Sequence, residues 1–118
     1  MRGYNKIYVI KKHWRCDLQN KVKEFNQTIP HKKAMPTMAR LMDISSELGE
    51  LLKEYLKSTK YGTKDFEMTD DFELEFGDVL YSLLSLANES GINSELALDK
   101  VIQKYSSRIK NHGNMGNN

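Results

Sequence analysis

Cysteine occurs once in the 118 residues, at Cys16. A lone thiol closes no intrachain disulfide, and no CxxC or Cys/His grouping offers the spacing of a zinc site. This favours a reducing cytoplasm over secretion, so a cytoplasmic protein is expected. Long apolar runs are missing as well. The longest early one, Ile7 to Ile10, is broken by Lys11 and Lys12. That is too short for a signal-peptide core or a membrane span, and no membrane association is expected. Histidine is scarce: His13, His31 and His112, none of them three residues after a glutamate. A di-iron carboxylate bundle needs a Glu-x-x-His pair on each of two helices and is therefore excluded. An EF-hand loop opening at Asp65 fails too. It has Asp70 where glycine is needed and Phe76 where the bidentate glutamate belongs.

What remains is a soluble globular composition, 39% apolar and 29% charged, of a length that suits one domain with a modest core. The net charge is +2 but unevenly spread. Met1 to Pro36 carries nine Lys or Arg against Asp17 and Glu24, net +7; the rest carries nine against fourteen Asp or Glu, net −5. A basic arm on an acidic body opens a second reading, a helical module that binds nucleic acid or nucleotide without catalysis. The acidic body makes nucleic acid the less favoured partner.

Punctuation divides the chain. Residues 1–16 are aromatic and basic and are expected to be an arm, in which "KIYVI" is predicted as a short strand or an extended segment. Asp17 to Asn26 is predicted as a first helix, with Leu18, Val22 and Phe25 on one face. Pro30 and Pro36 oppose helix in the following loop. Thr37 is predicted to cap a second helix reaching about Lys57. Asp70, with Glu73 three residues on, opens a third. Gly91 ends it. Asn93 or Ser94 caps a fourth helix running to about Asn111. The all-α domain is thus expected over residues 17–111, with 112–118 as a disordered tail.

Two of these helices carry acidic stripes. On the second, Asp43, Glu47, Glu50 and Glu54 step by four, three and four and share a band about 60° wide. Ile44, Leu48, Leu51, Leu52 and Tyr55 lie beside it and are predicted to face the core, as are Met35, Met38 and Met42. On the third, Asp71, Glu75 and Asp78 step likewise, and Ser82, Ser85 and Glu89 extend the strip. The rest of that helix is almost wholly apolar, which predicts burial on nearly every side and a symmetric oligomer to supply the cover. Two acidic stripes packed together repel unless cations lie between them. Carboxylates without His or Cys suit a hard cation, Mg²⁺ or Mn²⁺.

"ELGE" (Glu47 to Glu50) and "EFGD" (Glu75 to Asp78), with 24 residues between, resemble the E-x-x-E…E-x-x-D signature of the MazG-like, all-α nucleoside triphosphate pyrophosphohydrolases. "LMDISSELGELLKE" is similar to the family's first metal helix and "EFGDVLYSLLSLANESGI" to its second. "LQNKVKEF" resembles its leading helix. In "ELALDKVIQKYSSRIK" a Lys-aromatic-x-x-Arg pattern falls on Lys104, Tyr105 and Arg108. The resemblance covers about Leu18 to Lys110 and implies a four-helix, Mg²⁺-dependent homodimer or homotetramer. Such an enzyme cleaves a nucleoside triphosphate to the monophosphate and pyrophosphate. It implies Glu47, Glu50, Glu75 and Asp78 as metal ligands, and Glu47 is the glutamate assigned to orient or deprotonate the attacking water.

Lys100, Lys104 and Arg108 form the basic stripe of the fourth helix. Arginine suits bidentate phosphate contacts and lysine acts as a point charge. Lys104 and Arg108, where the resemblance falls, are the expected phosphate ligands. Trp14, Phe25 and His31 are candidates to stack on or edge a base, but core or loop packing is the favoured role for each.

Overall fold

The computed structural model describes residues 17–30 and 33–116. Four α-helices make up its regular structure: α1 (Asp17–Gln27), α2 (Thr37–Ser58), α3 (Asp70–Ser90) and α4 (Ser94–His112). There is no strand among the described residues, and the chain is all-α. The "KIYVI" segment, with Trp14 and His31, lies outside the described residues. No described helix is long and apolar enough to cross a membrane.

Local chemistry sets the helix ends, and in two places it differs from expectation. The third helix is capped by Thr69, whose hydroxyl accepts the Phe72 N–H at 3.1 Å. Asp70 is therefore its first helical residue. Asp70, Asp71 and Glu73 all fall in the first turn, where a negative charge suits the positive end of the helix dipole. Thr37 does not cap α2; Pro36 holds that position with no side-chain bond, and its carbonyl accepts the Arg40 N–H at 2.9 Å. Gly91 ends α3 in the left-handed region, φ 71°, and the Ile92 N–H closes back on the Ala87 carbonyl at 2.9 Å. Asn93 then caps α4 through the Leu96 N–H at 3.0 Å.

α2 and α3 form an antiparallel hairpin, with the start of α2 beside the end of α3. At that end Arg40 is buried. Its guanidinium forks onto Glu89, Nε to Oε1 at 2.8 Å and Nη2 to Oε2 at 3.1 Å, while Nη1 reaches Asp43 at 3.1 Å. The Met35 N–H also donates to Glu89, at 3.2 Å, fastening the loop before α2. At the other end Phe66 stacks on Tyr55 and meets Phe72 edge-on, with centroids 5.4 and 4.9 Å apart. Between helix and loop, the buried Thr59 hydroxyl donates to the Tyr55 carbonyl and accepts the Gly62 N–H. This turn carries Lys60, Tyr61 and Gly62 through three successive positive φ values, 48°, 60° and 83°.

α1 lies against α3 through polar contacts. Asn26 accepts the Tyr81 hydroxyl and donates to Ser85 at 3.3 Å. Gln19 ties α1 to the α3–α4 turn: its Nε2 donates to the Ile92 carbonyl at 2.7 Å, and its Oε1 accepts the Ser94 N–H at 2.9 Å. The Phe25 ring meets Tyr81 edge-on.

The apolar interior is small. Leu84 and Ala87 are the buried apolar residues described, beside buried Arg40, Thr59, Ser82 and Ser85. This corrects the expected core. Ile44 and Leu51 turn toward α3 and are partly covered, but Leu48, Leu52 and Tyr55 are exposed, as are Met35, Met38 and Met42. Phe76 and Leu83 of α3 are exposed too. The apolar positions of α2 span too wide an arc for one neighbour to cover. α3 packs on the arc that carries the polar side chains instead.

Candidate metal and phosphate site

The α2–α3 hairpin brings Glu47, Glu75 and Asp78 together. One carboxylate oxygen from each lies within 4.8 Å of the others; Glu47 and Glu75 are half-buried and Asp78 is exposed. The stepping by three and four explains this. It places Glu47 on the side of α2 that faces α3, and antiparallel packing sets it opposite Glu75 and Asp78. Glu50, one turn along α2, is exposed and lies outside the trio, yet its charge acts on both Glu47 and Glu75.

The electrostatics are one-signed. Partial loss of water raises the Glu47 carboxyl above its ordinary value, and the charges of Asp78, Asp43 and Glu50 push it the same way. Glu75 is raised for the same first reason, with Asp78, Glu47, Glu50 and Glu54 adding to it. Like charges held close disfavour the ionised form. Two neighbours have cationic partners: Asp43 pairs with Arg40, and Glu54 with Lys57 at the long distance of 3.9 Å. An oxygen-only group of this kind is chemically fitted to Mg²⁺ or Mn²⁺, which take carboxylates and substrate phosphates.

The expected phosphate ligands lie on α4. The exposed Lys104 holds its Nζ 5.4 Å from the ring centre of Tyr105. Arg108 donates from Nη1 to the Met115 carbonyl at 3.1 Å. Neither is among the charges that shift Glu47 or Glu75. Phe25 meets Tyr81 of α3 edge-on and is otherwise largely exposed. Sequence reasoning missed Arg40. Its signal was a lone arginine in the first turn of α2, three residues before Asp43, whose partner Glu89 lies 49 positions away.

An all-α hairpin with converging carboxylates on facing helices defines a class of proteins suited to divalent cations and phosphate chemistry. The chain belongs to the MazG nucleotide pyrophosphohydrolase domain family, whose model matches residues 17–113. It is also similar to the uncharacterized protein YpjD of Bacillus subtilis (strain 168), with 40% identity over 76 residues, 62% of this chain and 67% of that protein. No solved structure matches it.

Proposed function

We propose that the chain is a cytoplasmic, Mg²⁺-dependent hydrolase that converts a nucleoside triphosphate, a dNTP or a modified NTP, to the monophosphate and pyrophosphate. The observation that carries this reading is the convergence of Glu47, Glu75 and Asp78 in a chain of the MazG family. Glu47, Glu50, Glu75 and Asp78 would hold the metal, with Mn²⁺ as a substitute. Bound there, it supplies Lewis-acid neutralisation of phosphate charge and a more acidic water. Glu47, raised and half-buried, accepts the proton of the attacking water at a carboxylate oxygen. The water oxygen bonds the α-phosphorus, the bond to the α–β bridging oxygen breaks, and that electron pair leaves with pyrophosphate.

Lys104 and Arg108 are assigned to the leaving group, where fixed cations meet charge as it develops. Arg108→Ala should lower kcat as well as raise KM, by about one to three powers of ten in kcat/KM. Lys110→Ala, to the side of that stripe, should do little. The functional unit is a homodimer or homotetramer. A panel of nucleoside triphosphates assayed with Mg²⁺ and resolved by chromatography tests the reading. Monophosphate and pyrophosphate without orthophosphate are expected. Diphosphate with orthophosphate would move the attack to the γ-phosphorus and overturn it.

A further inference from the structure

Past the end of α4 the chain folds back on the helix. Gly113 turns it with a left-handed φ of 75°, and the Gly113 N–H closes on the Ile109 carbonyl at 2.8 Å. The Asn114 side chain then braces the turn. Its Oδ1 accepts the Gly116 N–H at 2.8 Å, and its Nδ2 donates to the His112 carbonyl at 3.5 Å. Asparagine is one of the few side chains that bond their own backbone two residues on. The result delivers the Met115 carbonyl to Arg108, whose Nη1 donates to it at 3.1 Å across seven positions. A Cβ added at Gly116 would stand 3.0 Å from Asn114 Oδ1, so the turn closes this tightly around a glycine. Gly113, Asn114 and Gly116 are each of the residue type that this hook requires.

We propose that residues 113–116 are an autoinhibitory hook, which holds Arg108 and must open before that guanidinium takes pyrophosphate or the phosphate chain of a nucleotide. This rests on the assignment of Arg108 to the leaving group. An arginine meets phosphate best through two parallel N–H donors. The Met115 carbonyl takes up Nη1, one prong of that fork. Lys104, one turn earlier on the same basic stripe, keeps its Nζ over the Tyr105 ring instead. The hook therefore acts on the arginine of the stripe, the residue with the planar donor set.

The hook is built to open. Its bonds from Arg108, Asn114 and Gly116 are exposed to water, and Met115 is 55% exposed. A neutral carbonyl is also a weaker acceptor than a charged phosphate oxygen. Segments with exposed bonds and little apolar cover open at low cost. A ligand thus displaces the hook, and its apparent affinity falls in proportion to the fraction of molecules in which Arg108 is released beforehand.

The test titrates inorganic pyrophosphate, with Mg²⁺ present, into the full chain by calorimetry. Asn114→Ala removes the brace and Gly116→Val crowds it; circular dichroism should show the helices unchanged. Each should bind pyrophosphate about two- to tenfold more tightly than wild type, the range that one exposed hydrogen bond spans. Arg108→Ala should bind more weakly, and adding Asn114→Ala to it should change nothing further. The methyl resonance of Met115 should move on pyrophosphate addition toward its position in Asn114→Ala. Unchanged or weaker binding by Asn114→Ala and Gly116→Val, with Arg108→Ala still weakened, overturns the hook and leaves the phosphate role of Arg108 standing. Unchanged binding by Arg108→Ala, or no binding by any of these proteins, overturns both.

Discussion

Arg40 and Glu89 are the costliest single residues to disturb. The Arg40 side chain is 4% exposed and that of Glu89 16%. Truncating one partner strips the other of its two-pronged ionic contact while leaving it largely buried. Arg40→Met should therefore lower unfolding stability by about 3–5 kcal/mol in urea titration. Arg40→Met with Glu89→Leu should cost clearly less than the sum of the single changes, the signature of a pair. The acids behave in the opposite way. Glu47→Gln or Asp78→Asn should abolish turnover and Mg²⁺ binding by calorimetry while raising the melting temperature of the metal-free protein. The sign follows from the shifts of Glu47 and Glu75. Both are raised by partial burial and then by neighbouring acids, so the folded state binds more protons than the unfolded state between the ordinary carboxylate value and the raised one. The penalty is absent below that window and fully present above it. Metal-free wild type should thus lose more stability than Glu47→Gln as the pH rises from the ordinary carboxylate value through the raised one, with saturating Mg²⁺ removing the difference. Equal pH dependence in the two proteins would refute the account.

At the scale of elements, the caps are where small changes report cleanly. Thr69→Ala should cost about 1 kcal/mol by denaturant unfolding, because the Phe72 N–H loses its partner. Asp70→Ala should cost less, since Asp70 acts only through the dipole. Helix existence and length were legible because Pro30, Pro36, Gly91 and Asn93 punctuate the chain chemically. Thr69 was passed over because it stands beside Asp70, an equally good cap by type, and only the chain path decides between them. The α2–α3 acids were legible as a set because stepping by three and four places them on one face before any fold is known. The Arg40–Glu89 fork was not, since pairing over 49 positions is a property of packing register. Nor was the sidedness of α2. Periodicity marks Leu48 and Leu51 alike as apolar and cannot say which of them α3 will cover.

For the whole molecule, the exposed apolar residues matter more than any single contact. If the exposed apolar residues of α2, Met38, Leu41, Leu48, Leu52 and Tyr55, join two copies, folding and association are linked, and the melting temperature must rise with protein concentration. A scan across a hundredfold dilution checks this by differential scanning calorimetry. A melting temperature independent of concentration would place the stability wholly within the protomer.

The polar character of the buried set has a calorimetric consequence. Arg40, Thr59, Ser82 and Ser85 fill positions that Leu, Val or Phe occupy in most interiors. Unfolding one protomer therefore hydrates little new hydrocarbon, and its heat-capacity increment falls below the usual ~12–15 cal/mol/K per residue. If copies associate through the exposed apolar side chains, that hydrocarbon is dewetted on association, and the negative heat capacity belongs to that step. Such a contact weakens on cooling, as hydrophobic contacts do. An assembly of that kind would be the cold-labile part of the protein, while each protomer, held by directional bonds, keeps a flat stability curve.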